Sequence, residues 1–299
     1  MPQEPERSWS VVELLKTTAG FFLHKRVDEP RLSAEILLSH VFRKNRLWLY
    51  LNHNRPVSAE ELSVFRTLCR ERLEGRPVQY ITGEQFFYGR SFAVDERVLI
   101  PRPETELLVE HASDLLSAMH EERPDELLRV LDIGTGSGCI AVTLALQLPF
   151  VGITAIDSSF EALQVAQENA GNHGVLGRMD FLTADLLDPD LASRFDLPFD
   201  MVVSNPPYIP EEEWESLQQE VRRFEPKVAL VTPGGTVSYQ ALCAIAPTLL
   251  KPEGVLCLEI HADGAEKVSA MMAARGFGRI CVLRDYADHD RILSGFFGC

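Results

Sequence analysis

The sequence predicts an α/β chain in which a mostly parallel sheet, with helices on both faces, follows a small all-helical domain. Three observations predict it. From Leu127 onward, short apolar runs alternate with helical stretches, the pattern of strands joined by crossover helices. The first run, Leu128-Arg129-Val130-Leu131-Asp132-Ile133, leads into Gly134-Thr135-Gly136-Ser137-Gly138, a glycine-rich turn of the kind that opens a helix in doubly wound sheets. Before residue 83, by contrast, apolar residues recur at helical spacing and never alternate.

In the N-terminal part, Ser8 or Ser10 can cap a helix carrying Val11, Val12, Leu14, Leu15 and Phe22. A second apolar face runs Leu32, Ile36, Leu37, His40, Val41. The most explicit helix starts at the capping box Ser58-Ala59-Glu60-Glu61, continues through Leu62, Phe65, Leu68, Cys69 and Leu73, and stops at Gly75 before Pro77. Residues 1–83 contain no catalytic constellation, so their expected role is docking a partner or covering the main domain.

A linker over residues 84–101 follows, where Phe86-Phe87-Tyr88, a Gly89-Arg90 turn and Ser91-Phe92-Ala93-Val94 predict an aromatic hairpin. The main domain, residues 102–299, begins within Ile100-Pro101-Arg102-Pro103-Glu104-Thr105-Glu106. Its prolines lead into a helix with an apolar face of Leu107, Leu108, His111 and Leu115, followed by a charged loop from His120 to Glu126. His111 on that face is expected to be a hydrogen-bonded core residue. After the glycine turn come a helix from Cys139 to Leu148, a strand from Val151 to Ile156 ending at Asp157, and a helix from Phe160 to Ala170. A third strand runs from Asp180 to Asp185, a fourth from Phe199 to Val203, and a fifth from Gly254 to Ile260. Phe277 to Leu283 and Ile292 to Phe297 supply two more.

The composition narrows the function. Forty-four acidic against twenty-nine basic residues give a net charge of −15, which repels a polyanion and argues against nucleic acid as the main partner. No apolar run reaches the ~20 residues that span a bilayer, and Met1-Pro2-Gln3-Glu4-Pro5-Glu6 lacks the features of a signal peptide. A cytoplasmic protein with no membrane association is expected. The six cysteines, Cys69, Cys139, Cys243, Cys257, Cys281 and Cys299, form no C-x-x-C pair, and most lie in apolar runs as small hydrophobes. Neither they nor the eight histidines have metal-ligand spacing, so no metal is expected.

The fourth strand delivers Ser204-Asn205-Pro206-Pro207-Tyr208 to a loop. Two prolines fix φ near about −65°, remove two backbone donors and hold Asn205 extended, leaving the carbonyls of Asn205 and Pro206 as acceptors without competing donors. An amide side chain, two carbonyls and an aromatic suit a planar –NH₂ group, which needs two in-plane acceptors and a flat surface. The glycine turn is not a dinucleotide fingerprint: from Gly134 the third glycine of G-x-G-x-x-G would fall at Cys139, and the pattern is G-x-G-x-G. Nor is there a phosphate loop of the G-x-x-x-x-G-K-[ST] kind. Asp132 before the turn and Asp157, nineteen residues after Gly138, suit an adenosyl ribose and a cationic sulfonium without a pyrophosphate, with Asp157 accepting the ribose hydroxyls.

With both motifs at the carboxyl edge of one sheet, the chain resembles the bacterial peptide chain release factor glutamine methyltransferases. The resemblance spans nearly the whole chain. Asn-Pro-Pro-Tyr marks amino-group methyltransferases broadly, while Pro101-Arg102-Pro103-Glu104-Thr105-Glu106 and Arg223-Phe224-Glu225-Pro226 narrow the match. It implies a Rossmann-like class I methyltransferase domain and transfer of a methyl group from S-adenosylmethionine to the side-chain amide nitrogen of the glutamine in the Gly-Gly-Gln loop of release factors. By that resemblance Gly134, Thr135, Gly136, Ser137, Gly138 and Asp157 hold the cofactor, with Asp185 and Leu186 flanking its adenine. Asn205 touches both cofactor and substrate, and Pro206, Pro207 and Tyr208 complete the grip on the target amide. Two segments depart from the family pattern: His261 follows Leu258-Glu259-Ile260 where a glycine is common, and residues 231–237 differ from the usual acidic-glycine loop.

The residues imply catalysis by positioning, with acceptors at Asn205 Oδ1 and the Pro206 carbonyl, Tyr208 against the amide, and no dedicated base. Glu104 and Thr105 either approach this site or simply start a helix. A monomer that recognises a folded release factor through residues 1–83 is expected. Two other readings stay open: an adenine or cytosine amino-methyltransferase acting on DNA, whose exocyclic amine presents the same donors, and a non-catalytic cofactor-binding scaffold.

Overall fold

The computed structural model describes residues 8–298. The N-terminal hexapeptide and Cys299 lie outside the described residues. The chain divides into two compact units: one comprises the chain up to Gly83 together with Gln218–Phe224, the other Glu84–Leu217 and the chain from Glu225 onward.

The first unit contains β1 (Trp9–Ser10), α1 (Val11–His24), α2 (Pro30–Phe42), α3 (Arg46–Leu51), β2 (Pro56–Val57), α4 (Ala59–Leu73) and α5 (Val78–Thr82). It is therefore not strictly all-helical, since β1 and β2 pair antiparallel. Of the two candidate caps, Ser10 is the one used: Glu13 N–H donates to its hydroxyl while Glu13 accepts from the Ser10 N–H, and Ser58 and Glu61 repeat this box at α4. Leu14, Phe22, Ala34, Leu37, Leu38, Leu49 and Phe65 form the core. The buried face of α2 is rotated from expectation, running through Ala34, Leu37 and Leu38 with His40 exposed. Polar residues decide this rotation, because Glu35 is buried as the acceptor for Arg31, Arg46 and Tyr50. The short helix Gln219–Phe224 (α9) joins this unit through an ion pair between Glu220 and the buried Arg72, and through Arg223 donating to the Glu74 carbonyl. This stretch therefore belongs with the first unit, although it falls within the span 102–299 expected for the main domain.

The second unit opens with the hairpin β3 (Glu84–Phe87) and β4 (Arg90–Ala93). Its turn is Tyr88-Gly89, one residue earlier than expected, because both residues adopt positive φ (51° and 72°) and Phe87 pairs with Arg90. Then follow α6 (Thr105–Glu122), β5 (Leu128–Ile133), α7 (Cys139–Gln147), β6 (Val151–Asp157), α8 (Phe160–Asn172) and β7 (Met179–Thr183). The remainder is β8 (Phe199–Ser204), α10 (Val237–Leu249), β9 (Leu250–Glu259), α11 (Ala265–Ala273), β10 (Phe277–Arg284) and β11 (Asp290–Phe297). Helix α6 extends into the expected loop, where His120 stacks on Phe150 at 3.8 Å. Strand β9 starts four residues early, with a register jump between Phe199↔Leu250 and Met201↔Val255.

The sheet order is β10-β11-β9-β8-β5-β6-β7, parallel from β9 to β7 and antiparallel at β11 and β10. Because side chains alternate across a strand, Val130, Met201, Val203, Val255 and Cys257 pack against α6 and α7. Their neighbours Leu131, Val202, Leu256 and Leu258 pack against α10 and α11. Burial on both faces explains why these strands lack polar alternation. Chain order reverses between β5 and β8, so the carboxyl ends of those strands border the crevice where open α/β sheets bind ligands.

Candidate active site

Each parallel strand around the crevice carries a polar residue at or next to its carboxyl end after a buried apolar run: Asp132, one residue before the end of β5, and the terminal Asp157 of β6, Ser204 of β8 and Glu259 of β9. The glycine turn is built on the first two. Gly134 and Thr135 donate backbone N–H to the Ile156 carbonyl at 2.9 and 3.0 Å, and Gly136 N–H donates to Asp157 Oδ2 at 2.9 Å. Gly134 and Gly136 have φ of 74° and 54° with open space where a side chain would stand, whereas a Cβ on Gly138 would lie 3.1 Å from Ala166 Cβ. The first two thus leave room for a ligand, and the third permits α7 to pack on α8. Buried Asn169 secures the turn by donating to the Ser137 carbonyl at 2.8 Å while exchanging two hydrogen bonds with the Ala93 backbone.

Asp132 is fully buried. Its Oδ2 accepts from Thr135 Oγ1 at 2.7 Å, and its Oδ1 has no partner. Burial raises its pKa to about 7, against the opposing effect of the Thr135 hydroxyl. An unpartnered buried carboxylate oxygen under an open glycine turn fits a cationic ligand, as adenosylmethionine is. Asp157 is also raised by burial, with backbone N–H groups of Ser159, Gly136 and Ser158 opposing. Its oxygens already accept from Ser159 and Gly136, and each retains a lone pair that can receive a ribose hydroxyl. Strand β7 ends at Thr183, so Asp185 lies beyond it: it is exposed and accepts from the Leu187 N–H, while Leu186 is half-buried on the α10 side of the sheet.

On the other side of the crevice, Ser204 Oγ donates to the Ile133 carbonyl at 2.7 Å, fixing the strand end before Asn205. Asn205 Nδ2 donates to Thr105 Oγ1 at 3.1 Å, Thr105 Oγ1 donates to Glu259 Oε2 at 2.6 Å, and Tyr208 OH donates to Glu259 Oε1 at 3.1 Å. Thr105 therefore does more than begin a helix, whereas Glu104 beside it is exposed and makes no capping bond. Tyr208 is anchored through its hydroxyl, its ring edge-on to His261 at 6.0 Å. Burial raises the pKa of Glu259 despite Thr105, Tyr208 and Arg291, and raises that of Tyr208 as well.

Both departing segments support this loop. Ile209 N–H donates to Leu230 O and Thr232 N–H to Ile209 O at 2.9 and 3.0 Å, and a Cβ on Gly235 would meet Pro210 and the Tyr208 carbonyl. The two motifs that narrowed the resemblance also meet: Glu225 accepts from Arg102 at 2.6 Å, and from the N–H of neighbouring Ile100 at 3.2 Å, while Glu106 ties the first motif to the hairpin by accepting from Tyr88 N–H at 2.7 Å.

Sequence reasoning missed Glu259 and Asn169. A usable signal existed for Glu259, an acid closing a buried strand just as Asp157 does, with Asp132 one residue short of the end of its own strand. Asn169 gave none, being one polar residue in a helix rich in them. His111 is half-buried, its Nε2 2.9 Å from Ser294 Oγ, and burial lowers its pKa. Of the described cysteines, Cys139, Cys243 and Cys257 are buried and Cys281 is exposed. No helix among the described residues is long and apolar enough to cross a membrane.

Residues 13–83 match the PrmC N-terminal domain and residues 106–239 the methyltransferase small domain. A release factor glutamine methyltransferase of Chlorobaculum tepidum is 56% identical, over 98% of this chain and 99% of that one. One from Geobacter sulfurreducens is 39% identical over the full length of both. Among solved structures, the hMettl16 catalytic domain in complex with an RNA hairpin shares the fold, with a TM-score of 0.52 at 15% identity over 82% of this chain and 85% of that one. The sheet is thus that of a class I methyltransferase, and on full-length similarity of this order the chain belongs to the family of release factor glutamine methyltransferases.

Proposed function

We infer that this protein methylates the side-chain amide nitrogen of the glutamine in the Gly-Gly-Gln motif of peptide chain release factors, using S-adenosylmethionine. The observation that carries the chemistry is the bond from Asn205 Nδ2 to Thr105, because an amide whose –NH₂ is engaged turns its Oδ1 the other way, as an acceptor. The cofactor supplies an electrophilic methyl on a cationic sulfur. Asp132, Gly134, Thr135, Gly136, Ser137, Gly138 and Asp157 would hold it, with Asp185 and Leu186 beside the adenine.

A carboxamide nitrogen is a weak nucleophile because its lone pair is delocalised into the carbonyl. Asn205 Oδ1 and the Pro206 carbonyl would hold its two N–H bonds, and Pro207 and Tyr208 would shape the wall beside it, so that the lone pair faces the methyl. As positive charge develops on nitrogen these acceptors bind more tightly, which makes their effect specific to the transition state. The nitrogen's surplus proton then passes to water. The net charge of −15 favours a protein substrate over DNA.

The experiment is transfer of labelled methyl to a purified release factor, with Asn205→Ala as control. Turnover should fall by roughly 10²–10³ in that variant while cofactor affinity holds. Methylation of DNA but not of the factor would refute the assignment.

Recognition of the factor falls to the helical unit in this reading, acting as a monomer in the cytoplasm. Truncation at Gly83 is a poor test, since it would strip α9 of Arg72. Leu47→Asp and Leu51→Asp, at sites 64% and 73% exposed, are better. If this unit docks the factor, one or both should raise KM for the intact factor and leave a Gly-Gly-Gln peptide unaffected.

A further inference from the structure

We propose that Glu259 is a positioning residue: its carboxylate, accepting from both the Thr105 and the Tyr208 hydroxyls, dictates which end of the Asn205 amide faces the substrate, acting through Thr105. The proposal rests on the methyl-transfer reading above and concerns the same site. A hydroxyl donates one hydrogen bond and accepts others, so Thr105 alone could serve either end of Asn205. Were it to donate to Asn205 Oδ1, the amide would be flipped and would present its –NH₂ to the substrate's –NH₂, two donors face to face. Glu259 removes that option. A carboxylate only accepts, and at 2.6 Å its Oε2 takes the Thr105 hydrogen. Thr105 is left with lone pairs towards Asn205, and only Nδ2 can pair with them, as it does at 3.1 Å.

The chain of bonds is well protected, with Thr105 and Glu259 only 2% and 1% exposed, so water is not at hand to substitute for a missing partner. The other oxygen of Glu259 holds the Tyr208 hydroxyl, and one buried carboxylate thus fixes both side chains of the motif. The groups that act on Glu259 are the Tyr208 and Thr105 hydroxyls, the positive charge of Arg291 and the opposing negative charge of Glu104. Arg291 spends its own hydrogen bonds on Asp285 and the Ile260 carbonyl, leaving no direct ion pair to Glu259 in the bonds it makes.

A reversal of sign distinguishes this role from simple structural support. Glu259→Gln can donate to Thr105, which frees the Thr105 hydroxyl to donate to Asn205 Oδ1 and flip the amide. In the parent, Glu259→Gln should lower kcat about tenfold or more, with cofactor affinity unchanged by calorimetry. Asn205→Asp has two acceptor ends, one of which opposes the Thr105 lone pairs and adds charge near Glu259. In that background Glu259→Gln should raise kcat, because Thr105 can then donate to the new carboxylate. Equal losses in both backgrounds, or no loss in the parent, would overturn the proposal.

A readout independent of catalysis separates its failure from failure of the methyl-transfer reading. In ¹⁵N-labelled protein the Asn205 side-chain –NH₂ should show one slowly exchanging proton, lost in Glu259→Gln. Persistence of that protection would overturn the proposal whether or not the protein methylates a release factor. If Glu259→Gln fails to fold, Thr105→Val and Thr105→Ser replace it: Val should abolish the protected proton and lower kcat, and Ser should restore both. Equal behaviour of the two would again count against the chain.

Discussion

Gly138→Ala should destabilise the fold without touching the ligand side of the glycine turn, and its magnitude follows from the structure. An alanine there keeps φ at +78°, at a cost of about 1–2 kcal/mol for a left-handed residue with a Cβ. The new carbon would also lie 3.1 Å from Ala166 Cβ and 3.2 Å from Ala166 Cα, and the latter is backbone that yields only if α8 moves. Overpacking of this kind costs about 1–3 kcal/mol, while the stiffer unfolded chain returns about 0.4–1 kcal/mol. The net expectation is a loss of about 1–4.5 kcal/mol. Gly134→Ala is the control, with φ +74° and no atom within 4 Å, so it carries the conformational cost without overpacking, about 0–1.5 kcal/mol after the same unfolded-chain return. Urea unfolding followed by circular dichroism measures both, at unchanged slope. If Gly138→Ala proved no more destabilising than Gly134→Ala, the close approach of α7 and α8 would not be what this glycine serves. Cofactor affinity should show the opposite order, since a methyl on Gly134 enters the open space above the turn.

Asp157→Ala should weaken adenosylmethionine binding by about 1–3 kcal/mol for each ribose hydroxyl left unpaired, and calorimetry showing unchanged affinity would sink its assignment. Asp132 takes up its proton more readily when folded, its pKa rising from 3.8 to about 7, so its contribution to stability in the absence of cofactor falls as pH rises through that window. Asp132→Asn should flatten this part of the stability profile. A cation above the turn favours the carboxylate, so cofactor affinity should decline as pH drops below about 7, and Asp132→Asn should remove that decline. Glu225→Ala leaves the Ile100 N–H unpaired and Arg102 without its carboxylate, which should cost about 2 kcal/mol by denaturation, with Glu225→Gln losing less.

The sequence by itself determined the elements and the ligand edge of the sheet, because those depend on near neighbours. Leu128–Ile133 and Phe199–Ser204 are largely apolar runs with a polar residue, Asp132 or Ser204, at or next to their carboxyl end, and burial on both faces makes such runs strands whatever surrounds them. The boxes at Ser10 and Ser58 close within four residues, and the glycines at 134, 136 and 138 announce a positive-φ turn through their own chemistry. Helix faces and turns were less legible: the rotation of α2 depends on Glu35 meeting Arg46, and the hairpin turn on Tyr88 accepting a positive φ. Only the tertiary structure decided what holds Asn205. Its partner Thr105 lies 100 residues away and the next link, Glu259, 154 residues from Thr105. These side chains meet because β9 pairs beside β8 while α6 packs across β9, an arrangement set by strand order and crossover packing. Local periodicity tells which residues are buried; the identity of a buried carboxylate's partners depends on which strands become neighbours, and that is settled when the sheet forms.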